Sequence, residues 1–262
     1  MEANTEISIR AFRATDDPET CRKYIQGHRK VLSIYGIENI TTNTDDWMYN
    51  PSIFVIAVES LDRGKLYGGA RIQAADGIHP LPIEEATSHM DSRILDVVRK
   101  YARSGTGEVS GLWNSKEVAG LGIGSLFPTR CGLVITEQIG LTSIFSLSSP
   151  ATVRFNKWLG SRVLTEVGEE GTFYYPKIDL LATACLQDEL PTLYKAHPRE
   201  SEKILFLRDN LQCKVLEKSP FKNIYVNVHY DLRIASADKN EFKVYYDLTP
   251  VENSQIEENA KP

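Results

Sequence analysis

The sequence has no long apolar run, and this shortage limits where the protein can reside. No stretch reaches the roughly 18 apolar residues that a bilayer-spanning helix needs. Residues 1–10 also lack the basic start and the apolar centre of a secretory signal. We therefore expect a cytoplasmic protein with no integral membrane segment.

Metal-ligating residues and positive charge are also scarce. The chain has 4 cysteines and 5 histidines, and they form no Cys-x-x-Cys, His-x-His or His-Glu-x-x-His motif. We therefore predict free, mostly buried thiols and no metal. The 30 Lys and Arg residues are outnumbered by 35 Asp and Glu residues, which gives a net charge of −5. This balance disfavours nucleic acid and anionic lipid as partners, and we expect neither.

The rest of the composition is typical of a globular protein. Apolar residues make up 42% and charged residues 25% of the 262 residues. At about 150 residues per domain, this length indicates one large domain or one domain with an appendage. We predict a main domain over residues 1–190 and a small α+β extension over 191–250, which holds one helix and three strand-like runs, the last over 242–248. The polar residues 251–262 are predicted to be disordered.

Periodicity predicts that strands and helices alternate along the main domain. A strand over 7–12 leads into a helix whose apolar stripe ends before Gly36. The β-rich runs 52–59 and 65–73 flank the turn Asp62-Arg63-Gly64 and should pair antiparallel. The remaining predicted elements are a short helical turn within 75–90, a helix capped by Asp91, a strand over 108–113, a helix over 125–138, a strand over 141–147, a helix over 150–159 and a strand over 174–186.

Three alternating glycines mark the most informative segment. Gly120, Gly122 and Gly124 stand between the strand over 108–113 and the helix over 125–138. Glycines at such a turn let backbone N–H groups at a helix start approach a phosphate. The spacing matches neither the Walker motif nor Gly-x-Gly-x-x-Gly. The alternative is that these glycines only permit a tight connection.

The element order and two motifs resemble the GCN5-related N-acetyltransferase (GNAT) superfamily. Residues 119–124 are similar to its pyrophosphate-binding motif, (Arg/Gln)-x-x-Gly-x-(Gly/Ala), except that Ala119 stands at the first position. A second block over 149–161 keeps Phe155, Leu159 and Gly160 of the family pattern. The resemblance implies an α+β, three-layer fold with a mixed, mostly antiparallel central sheet flanked by helices.

The resemblance also implies a ligand. In this fold the strands before and after the glycine turn splay apart, and the pantetheine arm of a thioester pairs with the exposed edge. The implied donor is acyl-CoA or an acyl-phosphopantetheine on an acyl carrier protein, with a backbone N–H of residues 112–114 polarising the thioester carbonyl. The implied donor-binding residues are Leu112, Trp113, Asn114, Gly120, Leu121, Gly122, Ile123, Gly124 and Ser125.

A basic helix face offers one place for a carrier protein or a CoA phosphate to dock. Its residues are Arg99, Lys100, Arg103 and, on the next helix, Arg130. The alternative is that these side chains are simply solvated.

Proton transfer is assigned through the same resemblance. Glu108 begins the strand before the glycine turn and is the implied general base for an incoming amine, the alternative being a solvated residue at a strand start. The family tyrosine that protonates the leaving thiolate falls on Asn156, and an amide cannot give up a proton at neutral pH. Tyr174 or Tyr175 then replaces it, unless water does.

The N-terminal half resembles one branch of the superfamily, the acyl-homoserine-lactone synthases and long-chain N-acyl amino acid synthases. As in that branch, an Arg-bearing helix is followed by the acidic pair Asp45 and Asp46 and by a Gly-x-x-Arg strand that contains Arg71. The acids would bind the acceptor's amine and Arg71 its carboxylate. Otherwise the acids cap a turn and Arg71 faces solvent. The Arg that follows Glu-x-Ser in the branch is Gly111 here.

Two functions follow from these patterns. The first is an N-acyltransferase that moves an acyl group from acyl-CoA or acyl carrier protein to the amine of a small amino-acid-like acceptor. The second is a GNAT-like protein that has lost catalysis and serves in ligand binding or scaffolding. The departures at Gly111, Ala119 and Asn156 favour the second function.

Overall fold

The computed structural model describes residues 5–37, 45–177, 179–219 and 223–244. Its strands are β1 (Thr5–Arg13), β2 (Ile53–Glu59), β3 (Leu66–Ala74), β4 (Gly107–Asn114), β5 (Ile144–Ser148), β6 (Arg162–Val163), β7 (Thr172–Tyr174), β8 (Leu181–Gln187), β9 (Gln212–Lys218) and β10 (Tyr225–Asp231). Its α-helices are α1 (Pro18–Ile34), α2 (Pro82–Thr87), α3 (Arg93–Ala102), α4 (Leu126–Ile135), α5 (Pro150–Trp158) and α6 (Pro198–Asp209).

The strands form one mixed sheet in the order β6-β8-β5-β4-β3-β2-β1-β10-β9, with β7 paired to β8. Two pairs of adjacent strands, β1 with β10 and β4 with β5, are parallel. The other pairs are antiparallel. The predicted fold class, a mostly antiparallel central sheet flanked by helices, is confirmed.

Both faces of the sheet are covered by helices, and β2 shows why its sequence is continuously apolar. Phe54, Ile56 and Val58 belong to the core beneath α4 and α6. Val55 and Ala57 belong to the core beneath α1 on the opposite face. Successive side chains of a strand point to opposite faces, so a strand covered on both sides needs apolar residues at every position.

The predicted strand over 174–186 is wrong, because it is two strands joined by a turn. β7 ends at Tyr174, and the N–H of Tyr175 bonds to the carbonyl of Leu180 at 2.8 Å. Pro176 within this turn has no N–H to give to a ladder. Two neighbouring predictions were too long: the predicted helix over 125–138 ends at Ile135, and the predicted strand over 141–147 begins at Ile144.

The C-terminal elements extend the same sheet. The predicted helix and the first two strand-like runs of the extension are present as α6, β9 and β10, and β10 lies beside β1. The described residues of the third run, 242–244, are not in a strand, and the rest of that run lies outside the described residues. Residues 251–262 also lie outside the described residues. The domain division at residue 190 stays a prediction.

A buried ionic network joins α4 to the C-terminal elements. The Arg130 guanidinium, 1% exposed, donates to Glu200 on α6 at 2.8 Å and to Glu217 on β9 at 3.2 Å. Tyr230 on β10 also donates to Glu217, at 3.2 Å. Arg130 is therefore a structural residue, and its predicted role as a docking residue for a carrier protein is wrong.

We expect Arg130→Met to destabilise the protein by about 3–5 kcal/mol, because it leaves the Glu200 carboxylate buried without its cation. The free energy of unfolding in urea measures the change. The exposed Arg199 on α6 provides the matched control, since Arg199→Met should stay within about 0.5 kcal/mol of the wild type. Equal effects of the two substitutions would contradict this account of the network.

Candidate active site

A cavity opens where two parallel strands part. β4 and β5 pair at one position only, Glu108 with Phe145. In contrast, β5 pairs with β8 at five positions. Past the Glu108–Phe145 pair the two strands diverge, and the space between them is a cavity of about 320 Å³. The splay implied by the sequence resemblance is therefore present.

The cavity lining is mainly apolar but includes several buried polar side chains. Its polar lining includes Glu108, 2% exposed, and Asn156, 7% exposed. Leu180 and Leu181, which lie after the turn at Pro176, line its rim and are 36% and 39% exposed. Buried polar groups are unusual unless they are hydrogen-bonded or serve a ligand. The remaining lining residues used below are His28 from α1, Ser110, Gly111 and Leu112 from β4, Ser146 and Ser148 from β5, and Tyr175.

A β-bulge in β4 shapes one wall. The register with β3 shifts between Gly69 and Arg71, so that Ala70 lies opposite the two residues Gly111 and Leu112. Gly111 has φ of +59°, and an added Cβ would lie 2.9 Å from Arg71 Nε. A side chain at this position would be strained and crowded. The family arginine at this position is thus replaced by the residue that the bulge requires.

Glu108 lines the cavity as expected, but its environment favours the protonated form. Its Oε2 accepts a hydrogen bond from the Ile83 N–H at 2.6 Å. Burial, helped by the nearby Glu84 and Glu85 carboxyls, raises its pKa to about 8, although the hydrogen bond from the Ile83 N–H and the Arg71 cation act in the opposite direction. The role of Glu108 as general base stays a prediction. The role requires the ionised carboxylate, which is the minority form at pH 7.

His28 of α1, which was not predicted as a site residue, also lines the cavity. It is 5% exposed. Burial and the positive charge of Arg71 lower its pKa to about 4, so the imidazole is neutral at pH 7. Its spacing in the helix is that of a core residue, and no local motif distinguishes it. Only the tertiary contact between α1 and β4 could identify it.

The predicted acceptor-binding residues lie away from the cavity lining. Arg71 is 3% exposed and stacks over the Trp47 ring at 4.3 Å. Asp45 and Asp46 are exposed, and Asp45 pairs with Arg29 at 2.6 Å. The structure therefore does not bring the acidic pair to Glu108, although Arg71 lies close enough to affect the pKa values of both Glu108 and His28.

The two candidate tyrosines are separated by the turn after β7. Tyr175 lines the cavity. Tyr174, at the end of β7, is 61% exposed and is absent from the lining. Of the two, only Tyr175 is placed where it can reach a ligand in the cavity.

Asn156 lies where the family tyrosine is expected, on the cavity side of α5. Its Nδ2 donates to Ser148 Oγ at 2.6 Å and to Ser146 Oγ at 3.0 Å. The two serine hydroxyls are 3.1 Å apart. Asn156 therefore holds a pair of hydroxyl groups at the cavity wall in place of a phenol.

The glycine turn lies between β4 and α4 as predicted, but it does not line the cavity. Gly120 and Gly122 have φ of +77° and +78°. Gly122 and Gly124 are buried, and an added Cβ on Gly124 would lie 2.1 Å from Asn114 Oδ1. This Oδ1 is buried and has no hydrogen-bond partner among the described residues. The Asn114 side chain thus covers Gly124, a residue that was predicted to bind the diphosphate of a donor.

Of the other predicted donor-binding residues, one lines the cavity and the others do not. Leu112 lines the cavity. Trp113 is buried, and its ring packs edge-on against Tyr24 at 5.7 Å. Ile123 is buried in the core beneath α4, while Leu121 and Ser125 are half-buried.

The structure bears on the predictions about cysteines and membrane helices as well. Cys21, Cys131 and Cys185 are free and buried, and Cys213 is free and half-buried, so the predicted free, mostly buried thiols are confirmed. Within the described ranges, no three His, Cys, Asp or Glu side chains are grouped as metal ligands. No helix in that part of the chain has both the length and the apolarity needed to cross a bilayer.

Comparison with known proteins supports the fold. No family model and no curated protein sequence matches the chain. The solved structure of FeeM, an N-acyl amino acid synthase from uncultured soil microbes, matches with a TM-score of 0.54 and 16% identity, over 75% of this chain and 97% of FeeM. The structure of BjaI with MTA, a CoA-dependent acyl-homoserine lactone synthase, matches with a TM-score of 0.52 and 11% identity, over 75% of this chain and 88% of BjaI.

A second structure of BjaI, with SAM and isopentyl-CoA, matches with the same TM-score of 0.52 and 12% identity, over 76% of this chain and 89% of that one. The chain therefore has the GNAT fold. The resemblance to acyl-homoserine-lactone and N-acyl amino acid synthases, inferred from sequence motifs, is confirmed at the level of the fold.

We expect Glu108→Gln to change how stability depends on pH. The folded-state pKa of about 8 lies above the ordinary value of 4.5, so protonation favours the folded state. This contribution is fully present below pH 4.5 and is lost as the pH rises through about 8. Gln mimics the protonated acid and does not ionise. The Tm of the variant relative to wild type should therefore rise between about pH 5 and pH 8, and a constant difference would contradict the raised pKa.

Proposed function

We propose that the protein is an N-acyltransferase, which moves an acyl group from a thioester donor to the amine of a small acceptor. The observation that carries this proposal is the parting of β4 and β5 around a cavity that has titratable side chains inside and apolar side chains at its rim. The solved structures with the same fold are an N-acyl amino acid synthase and a CoA-dependent acyl-homoserine lactone synthase. They support acyl transfer as the reaction class.

In this reaction the amine nitrogen attacks the thioester carbonyl, a C–N bond forms, the C–S bond breaks, and the thiol leaves. The bulge at Gly111 and Leu112 interrupts the ladder with β3, and the backbone there would polarise the carbonyl oxygen. Tyr175 would donate a proton to the leaving sulfur. The apolar rim at Leu180 and Leu181 would contact the acyl chain.

The donor would be acyl-CoA or an acyl-phosphopantetheine carried by a protein. For CoA, the diphosphate would bind residues 120–125 after the Asn114 side chain moves off Gly124. For a carrier protein, the exposed Arg99, Lys100 and Arg103 on and just after α3 offer positive charge. The acceptor would be amino-acid-like; its predicted binding residues Asp45, Asp46 and Arg71 lie outside the cavity lining and take no part in the proposed site.

We expect the wild type to release free thiol from octanoyl-CoA when an amino acid acceptor is added, with formation of the matching amide. Tyr175→Phe should lower kcat by about 100-fold, since it removes the proton donor but keeps the ring. Thiol release is measured with a thiol reagent, and the amide is measured by mass spectrometry.

The adjacent Tyr174 is the matched control, because Tyr174→Phe removes the same hydroxyl from an exposed position outside the cavity. Its kcat should equal that of wild type. Equal losses in the two variants would remove Tyr175 from the mechanism. Absence of amide with every amino acid and both donor types would refute the proposed activity.

One observation favours a second function, a thioester-binding module without catalysis. The position of the family proton donor holds Asn156, whose amide cannot give up a proton at neutral pH. Such a module would bind octanoyl-CoA and raise the Tm without releasing thiol. At 100 times Kd the stabilisation is about 2.7 kcal/mol, which corresponds to a Tm rise of about 5 °C or more. A Tm shift combined with steady amide formation would rule this function out.

A further inference from the structure

The general base of the proposed reaction need not be the residue that the sequence motif indicates. Resting on the proposed acyl transfer, we propose that the imidazole of His28 accepts the proton that the acceptor amine loses as it attacks the thioester. This assigns a catalytic role to a residue of α1 and moves the base from β4 to α1.

The position of His28 supports this assignment. It lies on the part of α1 that packs against β4, and it lines the same cavity as Ser110 and Gly111 of β4. The residue is only 5% exposed, yet it forms no hydrogen bond with another described side chain or backbone group. Neither ring nitrogen of His28 is among the polar atoms that are both fully covered and without a hydrogen-bond partner. A ring nitrogen is therefore available to a molecule inside the cavity.

The charges around His28 keep it neutral. On its own helix it faces Tyr24, with ring centroids 6.3 Å apart. From β3 it faces the Arg71 cation, and burial together with this cation lowers the pKa of His28 to about 4. The helical turn that begins at Asp46 also packs on α1, but Asp45 and Asp46 are exposed and Asp45 is paired with Arg29.

The other candidate base at the cavity, Glu108, is mostly protonated at pH 7. Glu108 on β4 has its pKa raised to about 8 by burial and by Glu84 and Glu85 of α2. It is therefore mostly a carboxylic acid, which holds a proton rather than accepts one. Desolvation favours the uncharged form of both groups, so at pH 7 the imidazole has a free lone pair while most Glu108 side chains carry a proton.

The step balances without any further reactant. The amine nitrogen bonds to the thioester carbon, and its surplus proton passes to the unprotonated ring nitrogen of His28. The C–S bond then breaks, and the sulfur takes its electron pair and a proton from Tyr175 or water. The imidazolium afterwards returns its proton to solvent through the open rim of the cavity.

The test is the pH dependence of kcat/KM with octanoyl-CoA and methoxyamine, an amine that is already neutral across the range. With His28 as base, the rate should be constant from about pH 5.5 to pH 7.5, because the imidazole is unprotonated there. With Glu108 as base, the rate should instead rise tenfold per pH unit up to about pH 8. The second profile would overturn the proposal.

Variants separate a catalytic His28 from a structural one. His28→Gln and His28→Ala should each lower kcat/KM by about 100-fold at pH 7, and added imidazole should restore activity to His28→Ala, which a purely structural defect would not allow. The exposed His89 is the control, and His89→Gln should match wild type. Unchanged activity in His28→Gln, or a loss in His28→Ala that imidazole does not restore, overturns the role of His28 but leaves the proposed function standing. Absence of thiol release from wild type overturns the proposed function and this role together.

Discussion

The parting of β4 from β5 beyond a single residue pair is the constraint on which the candidate site depends. Two parallel strands that stay paired leave no room between them, whereas here the ladder ends after Glu108 and Phe145. The backbone groups that would have paired, and the side chains beside them, then face a cavity instead of a neighbouring strand. Helix α1 and the turn at Pro176 close this space from the sides, and so residues far apart in sequence meet there.

The fold was largely predictable from the sequence, because most of its signals are local. The hairpin of β2 and β3 has its turn residues between two β-rich runs, and α1 has an uninterrupted apolar stripe followed by Gly36. The error at β7 and β8 arose because a turn lies between two β-like runs. The runs on either side of Pro176 are both β-like, so the turn between β7 and β8 was not separated from them.

The candidate site was predictable only in part, because its chemistry depends on tertiary burial. Glu108 was identified from its place before the glycine turn, but its raised pKa follows first from burial and then from the Glu84 and Glu85 carboxyls of α2. His28 has no motif at all. The cover of Asn114 over Gly124 joins residues ten positions apart whose contact no pattern indicates. Sequence motifs thus located the strand and the turn, while burial determines which groups there can exchange protons.

Two of the departures from the family pattern, at Gly111 and Asn156, fit their surroundings in the structure. At Gly111 the backbone has a φ of +59° in a bulge where a side chain would meet Arg71 and Tyr24. At Asn156 the amide donates to two serine hydroxyls that lie on alternate residues of β5. Each of these two residues is therefore matched by its surroundings, and both line the same cavity.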